Sequence, residues 1–379
     1  MNRFINYFAN DDKKVGFTLP KAVFNAIGLS WWGTPTLLKS LYKPVAFIIL
    51  GFITYGVTNY LSEKEIVDQK TFIEVTVNII QILSMLFVAT KIFLFHCYSS
   101  DISDAINTSE ILQLKYGVTC STPTGSKVIK IYATNIAIAV TGWLVLGTYK
   151  HGHPLHVSFP FDISTKHPIR FLIVWFLEVM CGFYVSAGNG AADTIPLYTV
   201  NVIVNFGEKL KDLLRKIGQN PDEDVKLLEE ALDLHLRILE LKDKLIKGFA
   251  MLVLVQIVFT ISHTCLILFA ATKVDIALFM SLLMPLTFAD YLELLVYCFT
   301  GEMLSSKMEE LRFAAYDNQW YNSSIATRKN LIRIMEALKR PISLNGYGIV
   351  SACYETYLNS IKESFSYYIV VKTLASDFK

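Results

Sequence analysis

Four histidines crowd one short stretch, at His151, His153, His156 and His167. The spacing His-x-His-x-x-His is one that can close around zinc. The only carboxylate near it is Asp162, no cysteine stands beside it, and the stretch is rich in Pro and Phe. It reads as a packed lid, and no metal site is expected. A second set of reactive types is acidic: Glu178, Asp193, Asp290 and Glu293 lie inside otherwise apolar runs. Carboxylates at such positions are costly in hydrocarbon and should face the interior of a helix bundle. Asp290 and Glu293, one helical turn apart, could attract cations or touch a polar ligand, but internal pairing and hydration is the stronger reading. No HExxH, glycine-rich phosphate loop or nucleophile motif occurs, so nothing supports an enzyme and no cofactor is expected.

The elements that must position these groups are membrane helices. The 379 residues are 53% hydrophobic and 18% charged, with a mean hydropathy of +0.41, whereas a soluble domain carries about a quarter charged residues. A net charge of only +2 gives nucleic-acid binding no support. Charge-free stretches at Pro44–Ser62, Val75–Thr90, Ile131–Tyr149, Gly248–Thr272 and Ile276–Ala289 approach the roughly 20 residues a crossing needs. Seven segments follow, at 44–62, 71–95, 129–149, 168–193, 248–272, 276–300 and 343–374. The fold class is an all-α membrane protein.

Most of the 35 Lys and Arg fall in segments on the N-terminal side of this arrangement, which the positive-inside rule places in the cytosol. The first forty residues lack the apolar run of a signal peptide. The N-terminus is therefore expected inside and the C-terminus outside, the inverse of a G-protein-coupled receptor. None of the six cysteines falls in an outer loop, and the sequons at Asn107 and Asn322 land on the inner side. The chain divides into an N-terminal cytosolic region (1–43), four helices with loops (44–205), a cytosolic helical loop (206–247), two helices (248–300), a cytosolic helical anchor (301–342) and a split seventh helix with a short tail (343–379).

The inner loops carry helical stripes. Residues 206–247 read as two amphipathic helices broken at Gly218 and Pro221, with Leu227, Leu228, Ala231, Leu234, Ile238 and Leu241 along one side. Met303, Met308, Leu311, Leu331, Ile334 and Leu338 repeat the pattern in 302–340. Such stripes need a partner, within the chain or in another subunit, and an oligomeric bundle is the favoured reading. In the last segment, Asn359, Glu363, Ser366, Val370 and Leu374 share a face that is polar below and apolar at the top. That face could line a water-filled path closed by apolar residues, or belong to a poorly packed terminal helix.

Three stretches in order carry a family signature: YCFTGEMLSSKMEELRFAAYDNQWY (297–321), LIRIMEALKRPISLNGYG (331–348) and SFSYYIVVKTL (364–374). With the loop HVSFPFDIS (156–164), they resemble the insect odorant receptors at Tyr297, Gly301, Leu304, Ser305, Tyr316, Trp320, Pro341, Gly346, Ser366 and Tyr367. The resemblance implies a ligand-gated, non-selective cation channel, tetrameric around one pore that the final helix lines. Each subunit would hold an odorant pocket in its outer half. It also implies Val370 and Leu374 as the gate and Thr373 at the polar pore position; Glu363 and Ser366 join the pore line through the shared face described above. Lys372 departs from the pattern. The chain closes on Thr373-Leu374 where gustatory receptors close on Gln-Phe, and its 206–247 loop is shorter than the coreceptor's. It is thus similar to an odorant-specific tuning subunit, working in a heterotetramer with the insect odorant coreceptor in the plasma membrane. The readings that stay beside it are a gustatory-type channel, a metabotropic seven-helix receptor, and a transporter, for which no self-similarity between the halves is found.

Under this orientation a volatile ligand would meet the outer ends of four segments. The expected wall is Phe72, Val75, Thr76 and Ile79; Ala139, Trp143 and Leu146; Phe176, Met180 and Phe183; and Phe279, Leu283 and Phe288. Trp143 leads, offering wide contact and one N–H donor. For any single aromatic here, helix packing is the commoner role.

Overall fold

The computed structural model describes residues 37–63, 69–117, 157–273 apart from 164 and 221, 283–339 and 343–377, with scattered positions between 127 and 153. Its helices are α1 (Leu37–Glu63), α2 (Gln69–Cys97), α3 (Ser99–Tyr116), α4 (Pro168–Lys216), α5 (Asp224–Ala271), α6 (Met284–Tyr316), α7 (Ile325–Leu338) and α8 (Tyr354–Asp377). Of the third expected segment, 129–149, scattered positions are described, and these are helical. By length and apolar composition, Val75–Cys97 and stretches of α4 and α5 suffice to cross a membrane, and Ile48–Ser62 is a shorter apolar helix.

The long helices have legible limits. Pro168 opens α4, where its missing N–H costs nothing. Gly218, at φ +83°, and Pro221 separate α4 from α5. Both helices run through an apolar half into a polar half without a break. There α3 lies along α5, joined by Lys247–Asp101 at 2.8 Å, Lys244–Thr108 at 3.0 Å and Lys115–Asp233 at 2.9 Å. Ser324 caps α7, accepting from Thr327 N.

The apolar stripes of the polar half find their partners within the chain. Leu228, Ala231, Leu234, Ile238 and Leu241 are buried, as are Met308, Leu311, Leu331, Ile334 and Leu338. They form one cluster with Leu210, Leu214 and Phe206 of α4. Of the two partners expected, the one within the chain covers them here: α4 to α7 bury one another's stripes. Asp233 accepts from Tyr116 at 2.5 Å and from Lys115, and these two donors hold its carboxyl below the usual range.

The end of the chain differs from the split helix expected. Asn345–Gly346 and Val350–Ser351 pair antiparallel as a two-stranded hairpin (β1 and β2). Its turn residues Tyr347 and Gly348 take φ of +54° and +75°, the two left-handed conformations of a type I′ turn. Ile349 N returns to Gly346 O at 3.0 Å. A helix cannot pass through such a turn, so α8 starts only at Tyr354.

Candidate functional site

The open face of α8 carries the residues expected to line a pore. Glu363, Ser366, Val370, Thr373 and Leu374 are all exposed, Val370 and Leu374 each at 54%. Ser360 and Ser364 on the opposite side are buried. Four hydroxyls, on Ser360, Ser364, Ser366 and Thr373, bond the carbonyl one turn back, so they stay compatible with an apolar setting. Lys372 leans 5.8 Å from the Tyr368 ring.

The expected pocket wall separates into two groups. Thr76 and Leu283 are buried, and Val75 and Met180 half-buried. Ile79, Phe176, Phe183 and Phe288 point outward instead, 40–58% exposed. That exposure corrects their assignment: a wall that encloses ligand is concave and mostly covered, whereas these four stand on the subunit's outside, where lipid or a neighbour would meet them. Ala139, Trp143, Leu146, Phe279 and the side chain of Phe72 lie outside the described residues.

A loop closes over this end of the bundle. Phe159 lies 7% exposed, stacked on Phe52 with centroids 4.5 Å apart and flanked by Phe161 at 5.3 Å. Gly56 makes the seat, since a Cβ there would meet Phe159 Cζ at 2.5 Å. Ser158 N bonds Gly56 O at 2.9 Å. His153 reaches Glu178 Oε2 at 3.3 Å and Ile163 O at 3.4 Å. Burial opposes charge on His153, but the Glu178 bond outweighs it and holds the imidazole above its ordinary pKa. His167 faces Asp162 at 3.8 Å. Of the loop histidines, His153 and His167 are thus engaged with carboxylates, while His151 and His156 lie outside the described residues.

The four acids inside the apolar runs all have basic partners. Glu178 has His153; Asp290 Oδ2 has His263 Nδ1 at 2.6 Å. Asp193 and Glu293 share Lys91, which is 1% exposed. The expectation of internal pairing holds, but the sequence reading named neither Lys91 nor His263. Ser84 Oγ lies 3.1 Å from His263 Nε2, giving a Ser-His-Asp order like that of acyl-transfer enzymes. The resemblance ends there. Ser84 bonds Ile80 O at 2.9 Å within α2, and the interior of a helix has no free backbone N–H groups to steady an oxyanion.

Residues 71–365 match the family model described as 7tm Odorant receptor. Among individual proteins, Odorant receptor 22b of Drosophila melanogaster is 25% identical over 64% of this chain and 63% of its own length. Odorant receptor 33b of the same species is 21% identical over 65% of each. The matches span less than two thirds of these relatives' own length. In fold, the chain resembles the insect olfactory receptor OR5 from Machilis hrabei, with a TM-score of 0.73 at 13% identity, over 94% of this chain and 97% of that one. The same receptor in complex with eugenol gives a TM-score of 0.77 at 12% identity, over 97% and 99%.

Proposed function

The chain belongs to the insect odorant receptor family, and from that membership we propose that it is the odorant-binding subunit of a heteromeric, odorant-gated, non-selective cation channel. It is a receptor and not an enzyme. The observation that carries the reading is the open face of α8, where Glu363 and Ser366 lead to Val370, Thr373 and Leu374. A helix covered along one narrow stripe and open over the rest of its surface suits the wall of a pore shared between subunits. Apolar side chains at its end can close such a path by dewetting. The partner is the insect odorant coreceptor, completing a heterotetramer in the plasma membrane. The N-terminus lies in the cytosol with the polar half, and α8 runs outward.

The ligand is volatile and mostly apolar, held in the outer half beside Val75, Thr76, Met180 and Leu283, with Ala139, Trp143, Leu146 and Phe279 completing the wall. The fold's likeness to a receptor solved with eugenol supports a pocket for a small volatile. The test is co-expression with an insect odorant coreceptor, recording currents to volatile esters, terpenes and alcohols with GTP removed from the pipette. Odorant-evoked current that persists without GTP, and whose conduction or baseline opening changes in Val370→Ala, is the expected result. Current that needs GTP would refute the channel, and robust current indifferent to Val370→Ala would remove α8's face from the gate.

A further inference from the structure

Three helices of the apolar half meet at one ammonium group. Lys91 on α2 donates to Asn189 Oδ1 at 2.9 Å and Asp193 Oδ1 at 2.7 Å, both on α4, and to Glu293 Oε1 on α6. These contacts commit all three of its hydrogens. Asn189 Nδ2 returns to Glu293 Oε2 at 3.0 Å, and the Tyr297 hydroxyl donates to Asp193 Oδ1 at 2.7 Å. The rings of Phe87 and Tyr297 stand 4.6 and 5.4 Å from Nζ. Taking charges out of water costs several kcal/mol per ion, and well-packed apolar residues would often serve stability equally well. What the ionic centre adds is a fixed relative position of α2, α4 and α6.

That position matters because α6 also packs against the root of α8. Between Asp290 and Gly301, α6 gives Glu293 and Tyr297 to the centre and turns Tyr291 and Gly301 toward the base of α8. Tyr291 meets Tyr357 edge-on with centroids 6.2 Å apart. Gly301 packs so closely that a Cβ would stand 2.0 Å from Ala352 O, just before α8 begins. On the far side of the centre, α2 and α4 carry Val75, Thr76 and Met180. The centre is therefore the bonded junction between the helices beside the pocket and a helix that, with α5, packs on the root of α8.

We propose that Lys91 is a positioning residue that couples α2 and α4 to the pore helix through Glu293 and α6. This rests on the channel reading above, and a silent wild type would count against that reading and not against the coupling. Glu293→Met removes the α2–α6 bond and leaves Lys91 and Asp193 as a balanced pair, so the variant retains one matched buried charge pair. Glu293→Gln keeps an acceptor without the charge, and Lys91→Arg keeps a donor.

With the coreceptor present, Glu293→Met is expected at the cell surface at wild-type density. Its half-maximal odorant concentration should rise about tenfold, within the range of coupling between contacting groups. Glu293→Gln and Lys91→Arg should stay within about threefold, since both preserve hydrogen bonding at the junction. Combining Lys91→Met with Glu293→Met should be no worse than the poorer single variant. Wild-type sensitivity in Glu293→Met, or additive shifts in the cycle, overturns the coupling. Absence of Glu293→Met from the surface where Glu293→Gln persists assigns the centre to folding alone and overturns it equally.

Discussion

Replacing Gly301 by alanine should unseat the root of α8, and the distances set the scale. The added Cβ would lie 2.0 Å from Ala352 O and 3.0 Å from both its carbonyl carbon and its Cβ. Carbon and oxygen rest at about 3.3 Å even in close contacts, so α6 and the chain at Ala352 must part by about 1.3 Å. The obstructing atom is backbone and cannot rotate away. Movement is resisted by the Ala352 N to Leu344 O bond at 2.8 Å, and by Gly346, whose own Cβ would meet Leu254 Cβ at 3.0 Å on α5. Overpacking a tight interior costs typically about 1–3 kcal/mol, and this clash belongs at or above the upper end. At roughly 2–4 °C per kcal/mol for chains of a few hundred residues, a cost of about 3 kcal/mol should lower the midpoint by about 6–12 °C. The assay is fluorescence-detected size exclusion of detergent-solubilised protein after a heating series. Gly51→Ala is the control, since Gly51 lies within α1, is exposed, and has nothing within 4 Å of its Cβ. Helix propensity there predicts a gain of about 0.5–1 kcal/mol. A Gly301→Ala protein that melts with wild type, or two alanines that shift it equally, would refute the reasoning.

Phe159→Ala should loosen the loop from α1, and Gly56→Ala should do the same by filling the seat that Phe159 occupies; both are expected to hasten current decay after odorant washout, measured by rapid perfusion. Asp233 is held below its usual pKa, chiefly by Tyr116 and then Lys115, so its contribution to stability is present above the unfolded value of about 4 and is lost as pH falls through the lower folded value. Asp233→Asn should therefore flatten the acid limb of a pH–melting profile below about pH 4 and leave its shape at pH 7 to 8 unchanged. A tag fused after Lys379 should be stained on intact cells and one before Met1 only after permeabilisation, and the reverse pattern would invert the proposed orientation.

The fold was largely legible because its punctuation is chemical. Pro168 and the Gly218–Pro221 break stand where α4 and α5 begin and end, and the leucine stripes on 3.6-residue spacing are buried. The signature glycines and tyrosine also have physical roles: Tyr297 bonds Asp193, Gly301 admits Ala352, and Gly346 lies against α5. Lys91 was not legible. It falls one residue beyond the charge-free run that ends at Thr90, and its carboxylates lie 102 and 202 residues away in sequence. Local pattern therefore gives its partners no signature. The four outward-facing members of the expected wall were illegible for a different reason. Phe176 and Phe183 lie one heptad apart on an apolar face, but lipid and pocket are both apolar environments, so composition cannot say which one that face meets. The hairpin did have a signal, the glycines of NGYG at 345–348, which the apolar run after it overshadowed.

The unbroken course of α5 has a mechanical consequence. Its 48 residues form a rod about 72 Å long at 1.5 Å per residue, with no proline inside it. A tilt of about one degree at one end displaces the other by roughly 1.3 Å over that length, comparable to a side chain's shift between two packings. Beside it α4, of 49 residues, contains Pro196, where one main-chain hydrogen bond is missing and bending is easier. The subunit thus sets a stiff lever against a jointed one. A deflection of α5 in the apolar half would be felt in the polar half, whereas α4 can bend at Pro196.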